Sequence, residues 1–166
     1  QMETVELEKI AKRLAERLAE AGRRVVFAES CTAGLVSSSL AAVPGISDWL
    51  CGSAVTYRNQ TKIGWLDVDS DVVERETAVS ETVAGQMAVG VLAKTPEADL
   101  AVSVTGHLGP HAPAASDGVL FVGVARRIDG VATLSHVDRC RLQQTERLGR
   151  QREAAGLVLE IAMRAL

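Results

Sequence analysis

The sequence predicts a three-layer α/β/α sandwich built on a mixed five-stranded sheet with one antiparallel strand. Three observations lead there. Short apolar runs rich in valine alternate with longer stretches of helical periodicity, in the order helix, strand, helix, strand, helix, strand, strand, strand, helix. The run Asp99–Thr105 is almost continuously apolar, as a strand buried on both faces must be. Asp129-Gly130 sits between two strand-like runs and signals a tight hairpin, which forces one antiparallel strand into an otherwise parallel sheet. The 166 residues are enough for one domain with its own core, and 1–166 reads as a single domain. Aromatic residues make up only 3% of the chain, which favours close packing of small and aliphatic side chains between helices and sheet.

The elements follow in order. Met2–Ala21 carries Leu7, Ile10, Ala11, Leu14, Leu18 and Ala19 at helical spacing, with Glu, Lys and Arg on the other face. Gly22 is placed to end that helix. Arg24–Ala28 is the first strand. Thr32–Ala42 reads as the second helix, stopped by Pro44-Gly45, and residues 44–48 as a turn with a short helix. Cys51–Tyr57 is the second strand. A short irregular helix with Lys62, Ile63 and Leu66 follows. The polar, acidic stretch Asp67–Thr77 reads as a surface connection. Ser80 is a good N-cap for the third long helix, with Glu81 in its first turn and Val83, Met87, Ala88, Val91 and Leu92 as its buried stripe. That helix closes near Lys94, ahead of Pro96. Asp99–Thr105 is the third strand and Gly106–Gly118 a long loop. Val119–Arg126 and Val131–Val137 form the hairpin, and Thr145–Ala165 is the last helix, with Leu148, Ala155, Leu159 and Ala162 inward. Strands one to three should be parallel, joined by right-handed crossovers.

Composition excludes several function classes. A net charge of −3 argues against nucleic-acid binding. No apolar run reaches the roughly 18 residues of a membrane span, and the amino-terminal residues read as a charged amphipathic helix rather than an export signal. Three widely spaced cysteines, Cys31, Cys51 and Cys140, suggest reduced thiols in a cytosol. The phosphate-cradle pattern GxxxxGK[ST] and the pattern GxGxxG are both absent.

Candidate chemistry gathers at one sheet edge. Ser30, Tyr57 and Thr105 each follow the carboxyl end of a parallel strand, where ligands bind in such sheets. In Val25-Val26-Phe27-Ala28-Glu29-Ser30-Cys31-Thr32-Ala33-Gly34 a strand turns directly into a helix. A hydroxyl there would meet free backbone N–H groups, a ready oxyanion hole. Ser30 and Thr32 are equally good helix caps, so the stretch alone carries both readings. Only four of the 18 basic residues are lysines, and Lys62 alone follows a strand end closely, five residues after Tyr57. A lysine with a lowered pKa can serve as a base for a serine, whereas arginine cannot. Lys62 and Tyr57 are equally compatible with ordinary surface and strand-end positions. Cys31 could compete as nucleophile, and His107 and His111 could hold a metal. Arg139, Arg141, Arg147, Arg150 and Arg152 form either a solvated basic face or an anion site.

Several segments together resemble the C-terminal domain family of the competence/damage-inducible protein CinA. Ala28–Gly34 is similar to its AESCTGG signature and Val43-Pro44-Gly45-Ile46-Ser47 to its VPGSS segment. Val55-Thr56-Tyr57-Arg58-Asn59 with Lys62 is similar to its VxYxNxxK. Ala78-Val79-Ser80 resembles GAVS, and Ala98-Asp99 through Val104-Thr105-Gly106 resembles AD…TG. The matches run in order over about residues 5–165, and no counterpart of the N-terminal domain of some members is present, as in the stand-alone form. The resemblance implies hydrolysis of the amide of nicotinamide mononucleotide to nicotinate mononucleotide and ammonia, in pyridine nucleotide salvage. It implies Ser30 as nucleophile, Lys62 as base and Tyr57 as third member. Helix-terminal amides near Thr32–Gly34 would hold the oxyanion. Thr105 and Gly106 would line the nucleotide site, Arg147 would contact a phosphate, and the motif residues Glu29, Thr32, Ala33, Gly34 and Asn59 would help bind substrate. No metal or cofactor is implied, and the family habit is a homo-oligomer, a dimer. The chain departs from the pattern in Thr105–Ala112, where His107 and His111 replace the family's residues. It also departs at Ala33, at Ser116-Asp117-Gly118-Val119 and at Thr145-Glu146. These departures leave room for a nucleotide-binding module without turnover, or for an amidase or esterase acting on another small substrate.

Overall fold

The computed structural model describes residues 4–166. Its elements are α1 (Thr4–Ala21), β1 (Val25–Glu29), α2 (Leu35–Ala41), a 3-10 turn (Ile46–Asp48), β2 (Leu50–Val55), α3 (Asn59–Leu66), α4 (Ser70–Glu76), α5 (Glu81–Ala93), β3 (Leu100–Gly106), β4 (Val119–Ile128), β5 (Val131–Arg141) and α6 (Arg147–Arg164). Met2 and Glu3, included in the expected first helix, lie outside the described residues. The sheet order is β2-β1-β3-β4-β5. β1 pairs parallel with β2 and β3, and β4 runs antiparallel to both of its neighbours, so β4 is the one reversed strand.

Strand alternation divides the core in two. Val25 and Phe27 of β1, Val102 and Val104 of β3, and Leu120, Val122 and Val124 of β4 face α1, α2 and α6. Val26 and Ala28, with Ala101 and Ala125, face Leu66 of α3, Val72 and Val73 of α4, and the Val83–Leu92 stripe of α5. Ser80 caps α5 as expected, its hydroxyl accepting from Val83 N–H at 3.3 Å.

Three expectations change. The stretch 67–77 is not merely a connection: Asp69 caps α4 by accepting from Asp71 N–H at 2.8 Å, and Val72 and Val73 are buried against α5. Two adjacent valines in an acidic stretch are too short a pattern to show helical periodicity. Leu148 is exposed, because the first turn of α6 lies over the loop after β3 rather than over the sheet, as its contacts with Leu108 and Gly109 show. Finally, α2 starts at Leu35 rather than Thr32. Residues 31–34 form a turn in which Ala33 (φ 51°) and Gly34 (φ 97°) are both left-handed.

Glycine adopts that conformation freely, whereas an L-residue is strained there by roughly 1–2 kcal/mol. Ala33→Gly should therefore raise stability by about 0.5–1 kcal/mol in denaturant titrations. A loss of stability would mean that the Ala33 methyl contributes packing outweighing the backbone strain.

Candidate active site

The site is built outward from Glu29, the last residue of β1, which is fully buried. Its Oε1 accepts from Thr32 Oγ1 (2.8 Å), Gly34 N–H (3.2 Å) and Val36 N–H (2.9 Å). Its Oε2 accepts from Ser37 N–H (3.2 Å), Ser37 Oγ (2.9 Å) and Ser53 Oγ (2.7 Å). The carboxylate thus caps α2 and ties it to β2. Ser30 follows, fixed at the sheet edge by its N–H bond to Val104 O of β3 (3.1 Å). The Ala33 N–H closes the turn on Ser30 O (3.0 Å) and the Leu35 N–H on Thr32 O (3.0 Å). From α6, Gln151 Nε2 donates to Thr32 O (3.3 Å) and Cys31 O (3.5 Å). Among the described residues, the N–H groups of Cys31 and Thr32 have no internal acceptor. Of the amides expected over 32–34 to hold an oxyanion, that of Gly34 is committed to Glu29 and that of Ala33 to Ser30 O.

Lys62, on α3, is buried and reaches Ser30. Its Nζ lies 2.9 Å from Ser30 Oγ, 2.9 Å from Thr56 O and 3.1 Å from Tyr57 O. Burial lowers its pKa from 10.5 to about 8. A neutral amine has two N–H bonds and one lone pair. Two carbonyls take the former, which leaves the lone pair for the Ser30 hydroxyl proton. Cys31 is the opposite case: burial pushes its thiol up to about 12, so it stays protonated and is a poor nucleophile.

The expected residues separate into two groups. Ser30, Tyr57, Asn59, Lys62, Thr105, Gly106 and Arg147 line one cavity of about 320 Å³. Glu29, Thr32, Ala33 and Gly34 do not line it. Glu29 and Thr32 are bonded to each other inside the turn, and the Gly34 amide is bonded to Glu29. Tyr57 makes two contacts in the site. Its hydroxyl accepts from Arg147 Nη2 at 2.8 Å rather than bonding Ser30 or Lys62, while its carbonyl holds Lys62. Arg147 Nη1 donates to Gly109 O, and Thr105 Oγ1 donates to Ala78 O at 2.8 Å.

His107 and His111 share the cavity, and among the described residues no three His, Cys, Asp or Glu side chains are grouped to hold a metal. The arginine cluster is not one solvated face, since Arg150 is buried in a fork with Asp117. Sequence reasoning missed that pair, as well as Ser37 and Ser53 on Glu29 and the role of Thr56 O. A backbone carbonyl leaves no trace in residue type. The serines show up only once Glu29 is known to be buried.

The family model described as the CinA C-terminal domain matches residues 7–166. The CinA-like protein of Trichodesmium erythraeum is 36% identical over 131 residues, covering 78% of this chain and 31% of that protein. The putative competence-damage inducible protein of Alkaliphilus metalliredigens is 39% identical over 113 residues, covering 67% and 27%. The chain thus spans about a third or less of the length of the curated relatives it matches. Among solved structures, the competence/damage inducible protein CihA of Agrobacterium tumefaciens superposes with a TM-score of 0.82 at 30% identity, over 95% of each chain. The CinA superfamily protein of Escherichia coli gives 0.85 at 26%, over 96% of this chain and 90% of that one.

Lys62 binds fewer protons folded than unfolded between about pH 8 and its ordinary 10.5. Its contribution to stability therefore rises with pH across that window. Measured against Lys62→Met in denaturant titrations, the wild type should gain stability as pH rises from 8 to 10.5. Parallel curves for the two proteins would show that the lysine is not depressed.

Proposed function

The chain belongs to the CinA C-terminal domain family, and on that premise we propose that it is an amidohydrolase that deamidates nicotinamide mononucleotide to nicotinate mononucleotide and ammonia. The observation that carries this reading is the contact of 2.9 Å between Lys62 Nζ and Ser30 Oγ, with the other two partners of the amine both carbonyls. In this mechanism Ser30 passes its proton to neutral Lys62 as Oγ attacks the carboxamide carbon. The oxyanion is received by backbone N–H groups of the turn that follows Ser30. The tetrahedral intermediate collapses, ammonia leaves with the proton from Lys62, and an acyl ester on Ser30 remains. Water then attacks that ester, Lys62 takes up its proton, and the carboxylate departs as Ser30 is re-protonated. Arg147, whose guanidinium lines the same cavity, suits the substrate phosphate.

The reading extends to setting. The cysteines are free, which suits a reducing cytosol. No helix among the described residues is long and apolar enough to cross a membrane. A homodimer, with no metal or other cofactor, is the assembly proposed. One observation favours a second reading: His107 and His111 stand in the cavity where the sequence departs from its family, which suits an amide other than the nicotinamide nucleotide or binding without turnover.

Ammonia release from nicotinamide mononucleotide by chelator-treated protein tests the proposal. Ser30→Ala and Lys62→Ala should each lower kcat by about 10³-fold or more while keeping the fold, by analogy with the loss of one member of a hydrolytic constellation. Wild-type turnover in Ser30→Ala would sink the assignment. In the wild type, kcat/KM should rise with pH to half its plateau near 8, where Lys62 loses its proton. Added hydroxylamine should divert product to the hydroxamate, since a serine ester is the intermediate. No ammonia from the wild type would leave the second reading, and calorimetry with the nucleotide would then separate binding from acting on another amide.

A further inference from the structure

The first two turns of α6 grip the long loop after β3 at two consecutive carbonyls. Arg147 Nη1 donates to Gly109 O, and Arg150 Nη1 donates to Leu108 O at 3.2 Å. Arg147 and Arg150 are three residues apart and so lie on one helix face. Arg150 does more. Its Nη1 and Nη2 meet Asp117 Oδ1 and Oδ2 at 2.8 and 3.1 Å, a two-pronged fork, and its Nε donates to Gln144 O at 2.8 Å. Two left-handed glycines press against the guanidinium. A Cβ on Gly109 (φ 67°) would sit 3.1 Å from Nη1, and one on Gly118 (φ 70°) 3.1 Å from Nη2. The base of the loop is closed separately, by Gly118 N–H to His107 O (2.9 Å) and His107 N–H to Val119 O (3.1 Å).

We propose that the Asp117–Arg150 fork is a positioning device that holds residues 107–111 at the cavity wall, and so sets substrate affinity rather than the rate of bond breaking. The segment it fixes is the one that lines the cavity: His107, Leu108, Gly109, Pro110 and His111 all do so. Asp117 itself does not line the cavity. The fork also makes no contact with Ser30 or Lys62, whose partners come from β1, β3, the β2–α3 connection and α3. The Arg150 side chain is 9% exposed and the Asp117 side chain 42%, so the pair is partly shielded from water. The arginine holds the Asp117 carboxyl below the ordinary carboxylate range. Without the fork, the base of the loop stays closed while its tip samples more positions. Substrate must then order that tip on binding, and affinity falls.

The kinetic arm rests on the amidase reading, whereas the exchange arm does not. Asp117→Ala should raise KM for nicotinamide mononucleotide about 10-fold and leave kcat within about twofold, with the isosteric Asp117→Asn in between. Amide hydrogen exchange in Asp117→Ala should speed up over residues 107–118 while that of β1 and α3 stays at the wild-type rate. Lower kcat at unchanged KM, or no change in either, would overturn the proposal. If the wild type turns nothing over, the amidase reading fails by itself and exchange decides. Faster exchange confined to 107–118 supports the device, and an unchanged or uniformly raised rate refutes it. Asp117→Asn guards against misfolding, since it keeps the shape of a partly exposed side chain.

Discussion

The buried carboxylate of Glu29 is the constraint on which the rest of the site depends. It has no salt-bridge partner among the described residues, and an unpaired charge in an apolar interior is expensive. Six donors satisfy it instead, three of them backbone N–H groups in the turn and first residues of α2. A helix N-terminus favours negative charge, so the interaction is electrostatic as well as geometric. Its consequences are local but rigid. The chain must turn at once after β1, Ala33 and Gly34 are driven left-handed, and α2 begins three residues later than the apolar pattern indicates. The carboxylate takes the amides of 34, 36 and 37, so the Gly34 amide is not available to a ligand.

Lys62 repeats the same physics with opposite sign. Burial disfavours its charge, while carbonyls at 2.9 and 3.1 Å would favour it. The pKa of about 8 reflects that burial wins without making the amine permanently neutral. Such a group can take a proton and give it back near neutral pH, which a base cycling twice in the proposed mechanism must do. For Cys31, next to Ser30 and also buried, the cost of burying a thiolate outweighs the nearby Lys62 and Arg147 charges, and its thiol is pushed up to about 12.

The fold was legible because its signals are long. The Asp99–Thr105 run, the Asp129-Gly130 turn and the stripe of α5 each extend over enough residues for their period to be read. α4 was missed because two valines carry no period, and Leu148 because helical phase says nothing of what lies beneath a first turn. In the site, Ser30, Lys62, Thr105, Gly106, Asn59 and Arg147 were legible as cavity residues from strand-end position and motif. The direction of a side chain was not. Glu29 and Thr32 belong to the same motif as Ser30, yet strand alternation and the turn send them inward. Tyr57 contributes its carbonyl to Lys62 and its hydroxyl to Arg147. One residue thus makes two contacts, one through its backbone and one through its side chain, which residue type alone does not distinguish.

These contacts divide the cavity into two physically separate halves. Ser30 stands on the turn after β1 and Lys62 on α3, and they are held by the Ser30 N–H bond to β3 and by two carbonyls of the β2–α3 connection. The wall with His107 and His111 stands on the loop after β3 and is held by Arg147 and Arg150. Residues 107–112 and 117 therefore make none of the bonds that hold Ser30 and Lys62. The halves still need a common reference, or the wall would drift relative to the serine. α6 provides it. Gln151 bonds the carbonyls of Cys31 and Thr32, Arg147 bonds both Tyr57 and Gly109, and Arg150 bonds Leu108 and Asp117, all within five residues of one helix. A helix is stiff over that length, so it sets the spacing between the proposed nucleophile and the loop that faces it. This also explains why arginine occupies both 147 and 150. Arg147 holds two partners and Arg150 three, in a fixed plane, which the guanidinium fork does and a lysine ammonium does not.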